Sequence, residues 1–563
     1  KLVNNIDTVR FGPNTMPSSR SNSGANSHIV ITNFSENKGL MSFSVLNDRL
    51  VQGFPRYIEP APLPPMAGEL DSSRPGDEIV VACRNGAIFA FDGNATPLGR
   101  ILDTLELNIP GQTVTKITTR MLLKLDANLD FPPALADLDA DGRDEMILGS
   151  ADGVLSVYRF DASGGGLNPQ VWWKVQGAAA AAGPISLRAS DRVIFWANGP
   201  TLKSFSPSGE ERFSMPVNAS ISKLAVTGSF IFVAAGHSVL LVEDGNSTPL
   251  WSRDYLNPVS NIAIADLDND GELEFIAVED SSQIHLLTAD GNETTAAQPS
   301  LAVANAGLAV GDVDGDGRKD LVFGLPDGIY AANMAGSALP AFPAQFLNAA
   351  LAGERGYNEP LLIDADGDQN QEIFLVGRGG DLYGVDQDGE LLPGFPIAFS
   401  ASVAQSPLAA DIDGDGELEL VAVSNQGMLS AFRMPGAQVA SDHSWTSWGG
   451  DALHARSNLH KETPQQHDES LLPPKLAYNY PNPTEGSETT IRYRLNGPAQ
   501  VTIKILDLAG ELVDEFPGPA QPFVDNEVKW SLHNIQSGVY LARVEARGQG
   551  KTGLAIFKIA VVK

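Results

Sequence analysis

The sequence predicts an all-β fold, a β-propeller of about eight blades followed by a small β-sandwich. The first observation is a nine-residue acidic motif that occurs five times, with 46, 52 and 47 residues between the starts of the last four copies. The second is the frame of each copy, which lies between short apolar strands and precedes a Gly-containing turn, as in the four-stranded meander of a propeller blade. The third is a change after residue 475 to alternating strands without the motif, which is typical of a sandwich.

The composition fits a globular protein with several cores and excludes some classes of partner. The chain has 563 residues, 43% of them hydrophobic, and 69 acidic against 38 basic residues, which gives a formal net charge of −31. Such an acidic surface repels phosphate backbones, so we expect no nucleic-acid partner. No run reaches the roughly 20 apolar residues of a membrane span, so no transmembrane segment is expected. Cys83 is the only cysteine, which excludes an intramolecular disulfide and a zinc site built on paired thiolates.

The repeated motif has the spacing of a calcium-binding loop. Carboxylates stand at positions 1, 3, 5 and 9, and Gly stands at position 6 in four of the five copies. In a tight loop this spacing turns alternate side chains and the carbonyl of position 7 toward one point, and such hard oxygen ligands suit Ca²⁺ better than Mg²⁺. The alternative, a set of polar turns at solvated blade edges, would leave four carboxylates close together without a cation. We therefore predict about five calcium ions.

The predicted ligands fall into five sets, each of four carboxylates and one backbone carbonyl. The carboxylates are Asp137, Asp139, Asp141 and Glu145; Asp266, Asp268, Asp270 and Glu274; Asp312, Asp314, Asp316 and Asp320; Asp364, Asp366, Asp368 and Glu372; and Asp411, Asp413, Asp415 and Glu419. The carbonyls are those of Arg143, Glu272, Arg318, Asn370 and Glu417. Gln369 stands at position 6 of the fourth set, where the others have Gly, so we predict the weakest binding there.

The repeats resemble the calcium-binding FG-GAP (VCBS-type) repeat of integrin-alpha-like propellers, which implies one blade per repeat. Similar units without the metal motif lie at 28–55, 68–99, 185–216 and 221–252, which makes about nine units in residues 1–460. Residues 1–27 are predicted to be irregular. The first unit lacks a convincing inner strand and the last lacks a convincing outer strand, so we expect them to share one blade, which gives eight; seven and nine blades are the alternatives. Residues 445–451 resemble a propeller's closing strand, in which Trp is expected to fill the core.

Residues 461–475 are predicted to be a linker and 476–563 a small β-sandwich domain. The linker carries Gln-Gln, several charges and Pro-Pro without periodicity. The domain opens with Tyr-Pro-Asn-Pro at 480–483 and carries Ser-Gly-Val-Tyr at 537–540. With its apolar last strand, this set of motifs resembles the Ig-like C-terminal sorting domain of type IX secretion cargo; the Ig-like domain of flagellar hook capping proteins is the alternative. The resemblance implies a secreted protein at the bacterial cell surface, on the exterior of the outer membrane, with the secretion machinery as a partner.

The sequence contains no evident catalytic constellation. Neither a Gly-x-Ser-x-Gly elbow nor a Gly-x-x-x-x-Gly-Lys-Ser/Thr phosphate loop occurs, and four of the eight histidines cluster near the predicted linker without metal-ligand spacing. We interpret the insert at 354–359 as a solvated loop, with a place at one mouth of the propeller as the alternative. Trp172-Trp173 is interpreted as a strand feature rather than a sugar platform.

The sequence therefore favours a secreted, calcium-stabilised, non-catalytic binding or structural protein that acts in adhesion or assembly. Its expected partner is a protein or a glycan at the cell surface. The alternative is a carbohydrate-active enzyme or a lectin-like glycan binder that uses the propeller funnel.

Overall fold

The chain forms two compact units, Lys1–Gln465 and Gln466–Lys563. Its computed structural model describes residues 20, 25–32, 44–107, 115–163, 166–179, 181, 183–297, 306–325, 328–345, 359–365, 370–377, 380–399, 405–438, 445–451, 454–458, 471–472, 477–480, 482–484, 487–495, 498–507, 510–520, 525–533, 535–548 and 551–562. In this part of the chain the regular elements are β-strands. No helix with the length and apolar character of a membrane span occurs among these residues.

Eight blades of four antiparallel strands make up the first unit. From inner to outer strand they are: blade 1, Met66–Gly68, Glu78–Ala82, Ala87–Phe91 and Leu123–Lys124; blade 2, Ala134–Ala136, Glu145–Gly149, Val154–Ser163 and Gly166–Gln176; blade 3, Ile185–Arg188, Val193–Asn198, Thr201–Phe205 and Glu211–Pro216; blade 4, Ile221–Thr227, Phe230–Ala235, Ser238–Glu243 and Trp251–Asp254; blade 5, Val259–Ala265, Glu274–Glu279, Ile284–Leu287 and Glu293–Ala297; blade 6, Gly307–Gly311, Asp320–Leu325, Gly328–Ala332 and Ala344–Gln345; blade 7, Leu361–Ile363, Glu372–Val376, Asp381–Val385 and Ile397–Ala398; and blade 8, Leu408–Ala410, Glu417–Val423, Met428–Gln438 and Arg56–Tyr57.

Each blade packs against both of its neighbours, so the eight blades close into a ring. Every adjacent pair shares an apolar core. The pair that closes the ring, blade 8 with blade 1, buries Leu408 and Phe89 in one such core. Because a blade has a neighbour on each face, its central strands are buried on both sides, and all five residues of Glu78–Ala82 are buried. Their sequences therefore read as apolar runs rather than as an apolar-polar alternation.

The outer strand of blade 8 comes from the N-terminal part of the chain. Arg56 pairs opposite Leu429 in the third strand of that blade, and Tyr57 pairs opposite Met428. The predicted sharing of one blade by the two ends of the propeller is confirmed, and with it the count of eight, but the shared strand lies just after the predicted first unit at 28–55. The strands Ile29–Thr32 and Ser44–Asn47 form a separate hairpin before this point. Of residues 1–27, predicted to be irregular, only 20 and 25–27 are described.

Blade 1 carries a hairpin that the sequence analysis did not anticipate. The strands Ile101–Leu107 and Thr115–Met121 pair with each other, with Ile101 opposite Met121. They lie between the third and fourth strands of the blade, so its outer strand falls beyond the predicted unit at 68–99. The physical reason is that a loop at the rim of a blade extends into solvent and can lengthen without disturbing the packed strands.

Residues 445–451 and 454–458, here called the plug, lie along the inner strands at the centre of the ring. Trp445 pairs with Leu362 of blade 7, and the Ala455 carbonyl accepts the Val226 amide of blade 4 at 2.9 Å. Ser457–Asn458 adds a parallel strand to the inner strand of blade 5. All three contacts are with inner strands, so the plug spans the central channel. Trp445 is 1% exposed, in agreement with the expectation that this residue fills the core.

The second unit is a sandwich of two sheets. One consists of Tyr478–Tyr480, Glu488–Arg494 and Asp525–Ser531, and the other of Leu512–Gly518, Gln500–Leu506, Gly538–Gly548 and Lys551–Val561, in hydrogen-bonding order. Trp530 lies in the core between them. Leu471 and Leu472, which the sequence analysis placed in the linker, are buried in the same core. Two adjacent leucines give no periodicity, so their burial in this domain was not evident from the sequence.

Candidate metal centres

The acidic loops join the inner strand of a blade to its second strand, and they share one hydrogen-bonding frame. The carboxylate at position 1 accepts the amide of position 6 in four loops: Asp137 from Gly142 at 3.2 Å, Asp266 from Gly271 at 3.0 Å, Asp312 from Gly317 at 2.9 Å, and Asp411 from Gly416 at 3.0 Å. The four glycines have φ between +84° and +93°. Glycine adopts this region without the steric cost that a Cβ imposes, which explains its place in the motif.

The carboxylate at position 9 is fixed in the same way in all five loops. It accepts the amide of position 2: Glu145 from Leu138 at 2.8 Å, Glu274 from Leu267 at 2.7 Å, Asp320 from Val313 at 3.2 Å, Glu372 from Ala365 at 2.6 Å, and Glu419 from Ile412 at 3.1 Å. One oxygen of each carboxylate is thus held by the loop backbone.

Four of the five predicted sets bring carboxylates together in the described part of the chain. Within each group, one ligand atom per residue lies within 4.8 Å of the others: Asp137, Asp139 and Glu145; Asp266, Asp268 and Glu274; Asp312, Asp314 and Asp316; and Asp411, Asp413 and Glu419. These groups have the size and chemistry of a divalent-cation site.

The other described carboxylates of these four sets lie outside these groups. Asp141, Asp270 and Asp415 at position 5 accept the amides of position 7, as in Arg143 to Asp141 at 2.9 Å, and Asp316, which belongs to a group, does the same. Asp320 faces the Val313 amide. In the fourth loop, Asp366 and Asp368 lie outside the described residues, and so does Gln369. Asp364, Asn370 and Glu372 are described, with Glu372 1% exposed.

The electrostatics of the loops favour a bound cation. Burial, together with neighbouring loop carboxylates, raises the pKa of Glu145 and of Glu274 to about 7 and that of Asp320 and of Glu419 to about 8. Asp312 has a pKa raised to about 6, again mainly by burial. The raised pKa values mean that the ionised carboxylates are destabilised by each other's charge and by the loss of water. A divalent cation bound between them offsets both costs.

Blade 1 has a related turn in which an arginine supplies the positive charge, a feature that the sequence analysis missed. Glu78 accepts the Leu70 amide at 2.7 Å, as position 9 does in the acidic loops. The Arg74 guanidinium lies 3.0 Å from Asp71 Oδ2 and 2.6 Å from Asp92 Oδ2. The signal that could have revealed this pair is Asp71-x-x-Arg74, which stands between the inner and second strands of blade 1, where other blades carry an acidic loop.

A second charged group lies on the plug. Glu359 accepts Arg456 Nη2 at 2.5 Å and the Gly449 amide at 2.7 Å, and Lys223 Nζ lies 3.9 Å from the same carboxylate. Arg456 also stacks over Trp448, 4.9 Å from the ring centroid. Glu359 is 3% exposed, so its interpretation as part of a solvated loop is wrong. The reason is that two cations in the channel, Arg456 and Lys223, stabilise the buried charge of Glu359. The other residues of the insert, 354–358, lie outside the described part of the chain.

Trp172 and Trp173 pack against the protein. Arg159 lies over the ring of Trp172, 3.3 Å from its centroid. Trp173 Nε1 donates to the Pro207 carbonyl at 2.9 Å. Both side chains are half-buried, whereas strand alternation had indicated that one of the two would be buried. Both residues lie in the strand Gly166–Gln176, as expected of a strand feature.

The fold and the loops define a class: an eight-bladed propeller with acidic loops, and a β-sandwich as a second unit. Comparison with known families gives the particular domains. Residues 239–323, which include the loops of blades 5 and 6, match the FG-GAP-like repeat, and residues 479–558 match the secretion system C-terminal sorting domain. The protein therefore carries FG-GAP-like repeats and a type IX sorting domain, and it is secreted and attached to the cell surface.

Similar solved structures include BamB from Moraxella catarrhalis, which is 13% identical over 69% of this chain and 100% of that one, with a TM-score of 0.41. BBS1N in a complex with ARL6DN is 12% identical over 54% of this chain and 91% of that one, with a TM-score of 0.38. No curated protein matches the sequence.

Proposed function

We propose that the protein is a calcium-stabilised, non-catalytic binding or structural protein displayed on the bacterial cell surface. The observation that carries the proposal is the convergence of three carboxylates, at least one of them buried, in each of four described loops with one common frame. The fifth loop has the same carboxylates at positions 1, 3, 5 and 9, so we propose about five ions. Calcium fits better than magnesium because the loops offer many flexible oxygen ligands rather than a strict octahedron.

The ions act on stability rather than on chemistry. Each divalent ion adds two positive charges, so five ions would reduce the formal net charge from −31 to about −21. An ion that binds only the folded state raises the free energy of unfolding by about 3 kcal/mol when its concentration is a hundredfold above Kd. The ions also fix the link between the inner and second strands of their blades.

Three features support a non-catalytic role. Glu359 pairs with Arg456 and with Lys223, and the plug spans the channel in which a propeller funnel would hold a substrate. His454 is buried, and burial lowers its pKa to about 3, which favours its neutral form. We therefore place partner binding on the outer surface of the ring, with a protein or a glycan of the cell surface as partner and the secretion machinery bound by the sorting domain.

Four measurements test the proposal: metal content, thermal stability, capture of partners and glycoside turnover. Elemental analysis of the purified chain should find calcium, and a chelator should lower the Tm, with recovery when calcium but not magnesium is restored. Chain 1–563 should then capture surface proteins or glycans from intact cells in calcium, and lose them in chelator. Absence of calcium with an unchanged Tm would overturn the calcium role, and turnover of a glycoside by the pure chain would overturn the non-catalytic role.

A further inference from the structure

We propose that the loops of blades 5 and 6 bind calcium cooperatively and that Lys319 is the positioning residue that joins them. This inference rests on the calcium binding proposed above. It concerns the energetic coupling of two sites rather than the presence of either one.

Lys319 stands at position 8 of the blade 6 loop and holds two consecutive residues of the blade 5 loop. Its backbone amide donates to the Leu267 carbonyl at 2.9 Å. Its Nζ donates to the Asp266 carbonyl at 3.1 Å. The side chain is 1% exposed, so the ammonium is directed at a loop of the next blade rather than at water. One residue thereby ties positions 1 and 2 of one acidic loop to position 8 of another.

The contacts of Lys319 lead to predicted ligands on both sides. In blade 5, Asp266 is itself a ligand, and the Leu267 amide donates to Glu274 Oε2 at 2.7 Å. In blade 6, Asp320 follows Lys319 directly and accepts the Val313 amide. A continuous path of two hydrogen bonds and short covalent links therefore joins Asp320 to Glu274.

This path makes the two binding events interdependent. An ion in blade 6 orders Asp320 and with it Lys319, which restricts positions 1 and 2 of the blade 5 loop before that loop binds its own ion. The second ion then meets a loop that has less conformational freedom to lose, so its affinity rises. The effect is reciprocal, because a coupling free energy acts equally on both sites.

The blade 2 loop provides an internal comparison. Its position 8, Asp144, donates its amide to the Glu69 carbonyl of blade 1 at 2.6 Å, in the same arrangement. The turn it reaches in blade 1 holds Arg74 rather than a set of loop carboxylates. On its other side, blade 3 joins its inner and second strands by the short turn 189–192. Blade 2 therefore has no neighbouring calcium loop, and its site should bind independently.

The experiment compares an adjacent pair of sites with a separated pair in the full chain. Asp139→Asn, Asp366→Asn and Asp413→Asn together leave the loops of blades 5 and 6 intact. Asp314→Asn, Asp366→Asn and Asp413→Asn together leave those of blades 2 and 5. Calcium titration by calorimetry, with native mass spectrometry to count bound ions, should show positive cooperativity in the first protein and independent sites in the second.

Single-site proteins measure the coupling, and a lysine variant tests the role of Lys319. Adding Asp314→Asn to the adjacent-pair protein should weaken the blade 5 site about fivefold or more, and adding Asp268→Asn should weaken the blade 6 site by the same factor. Lys319→Met should reduce this factor to nearly one. Lys174→Met, which removes an exposed lysine from the outer strand of blade 2, should leave it unchanged.

Each outcome decides one statement. No calcium binding by the unmodified chain overturns the proposed function. Binding in which the adjacent pair behaves like the separated pair overturns the coupling alone. Coupling that persists in Lys319→Met overturns the role of the lysine. Folding of this variant is judged by circular dichroism in saturating calcium. If the variant does not fold, the comparison of the adjacent pair with the separated pair still decides whether the loops are coupled.

Discussion

A single guanidinium balances the acidic turn of blade 1. Asp71 and Asp92 are 6% and 7% exposed, and Arg74 contacts both. Arg74→Met leaves two buried carboxylates without a cation, so we expect the free energy of unfolding in saturating calcium to fall by about 3 kcal/mol. Arg84 is the control, since it lies 3.5 Å from Asp130 with more than half of both side chains exposed. Arg84→Met should cost less than about 1 kcal/mol, and equal losses in urea unfolding would contradict this account.

The carboxylates at position 9 predict an unusual pH dependence for the metal-free protein. The folded-state pKa is raised to about 7 in Glu145 and Glu274 and to about 8 in Glu419, from an ordinary 4.5. Between the ordinary pKa of the unfolded state and the raised pKa of the folded state, the folded state binds more protons than the unfolded state. The free energy of unfolding should therefore decrease as the pH rises from 5 to 8. Saturating calcium keeps the groups ionised and should abolish this decrease. Urea unfolding of metal-depleted protein at both pH values checks the sign; a metal-free protein that gains stability over this range would refute it.

Among the elements, the loops were far easier to predict than the strands around them. The spacing of Asp137, Asp139 and Glu145 fixes which side chains can meet, because a nine-residue turn leaves little freedom. The central strands gave a weaker signal, because burial on both faces removes the alternation that marks a strand. The Arg74 pair and the hairpin after Ile101 were missed, since the first uses no repeated motif and the second interrupts a blade.

Position 6 of a loop offers a test of the turn itself. Gly271 has φ +93°, and a Cβ built there meets nothing within 4 Å, so an alanine would suffer from the backbone conformation alone. Gly271→Ala should cost about 1 kcal/mol and weaken the blade 5 site about fivefold. Gly245 has φ +87° and equally open surroundings in a turn of blade 4 that carries no acidic loop. Gly245→Ala should destabilise the fold to a similar extent without altering any calcium affinity, as measured by calorimetric titration.

The fourth loop allows the opposite substitution, because Gln369 stands at position 6, where the other loops have Gly. Gln369→Gly should tighten calcium binding in blade 7 about fivefold, since it removes the cost of a left-handed conformation or of a wider turn. Titration of the variant beside the unmodified chain gives the answer, and unchanged affinity would show that this loop uses a different turn.

At the scale of the whole molecule, we predict that the two units separate on mild proteolysis. Residues 461–470 carry Gln-Gln and several charges without apolar periodicity, whereas Leu471 and Leu472 are buried in the second unit. Cleavage should therefore occur before residue 471 and release a fragment of about 95 residues. Mass spectrometry of the fragments locates the cut. A first cut within a blade would contradict the proposed boundary.

One part of the global architecture, the shared blade, could be predicted from the sequence, and another part, the polar pair in the channel, could not. The incomplete first and last units predicted a shared blade, since each lacked what the other could supply. The pairing of Glu359 with Arg456 could not be foreseen, because the two residues are 97 positions apart and belong to segments without a motif. Long-range polar pairs leave no periodic trace in a single sequence.

Arg56–Tyr57 is the first blade strand to be made and the last to be placed. As the chain is synthesised, this strand has no strand to pair with until the third strand of blade 8 exists, more than 370 positions later. Blades 1 to 7 can each assemble on a neighbour as they arrive, but the ring stays open until its earliest strand joins its latest blade. A chain shortened at either end of this span therefore fails as a whole, unlike an open repeat array, which loses only its terminal repeat. Synthesis of blade 8 is in this way coupled to closure of the ring.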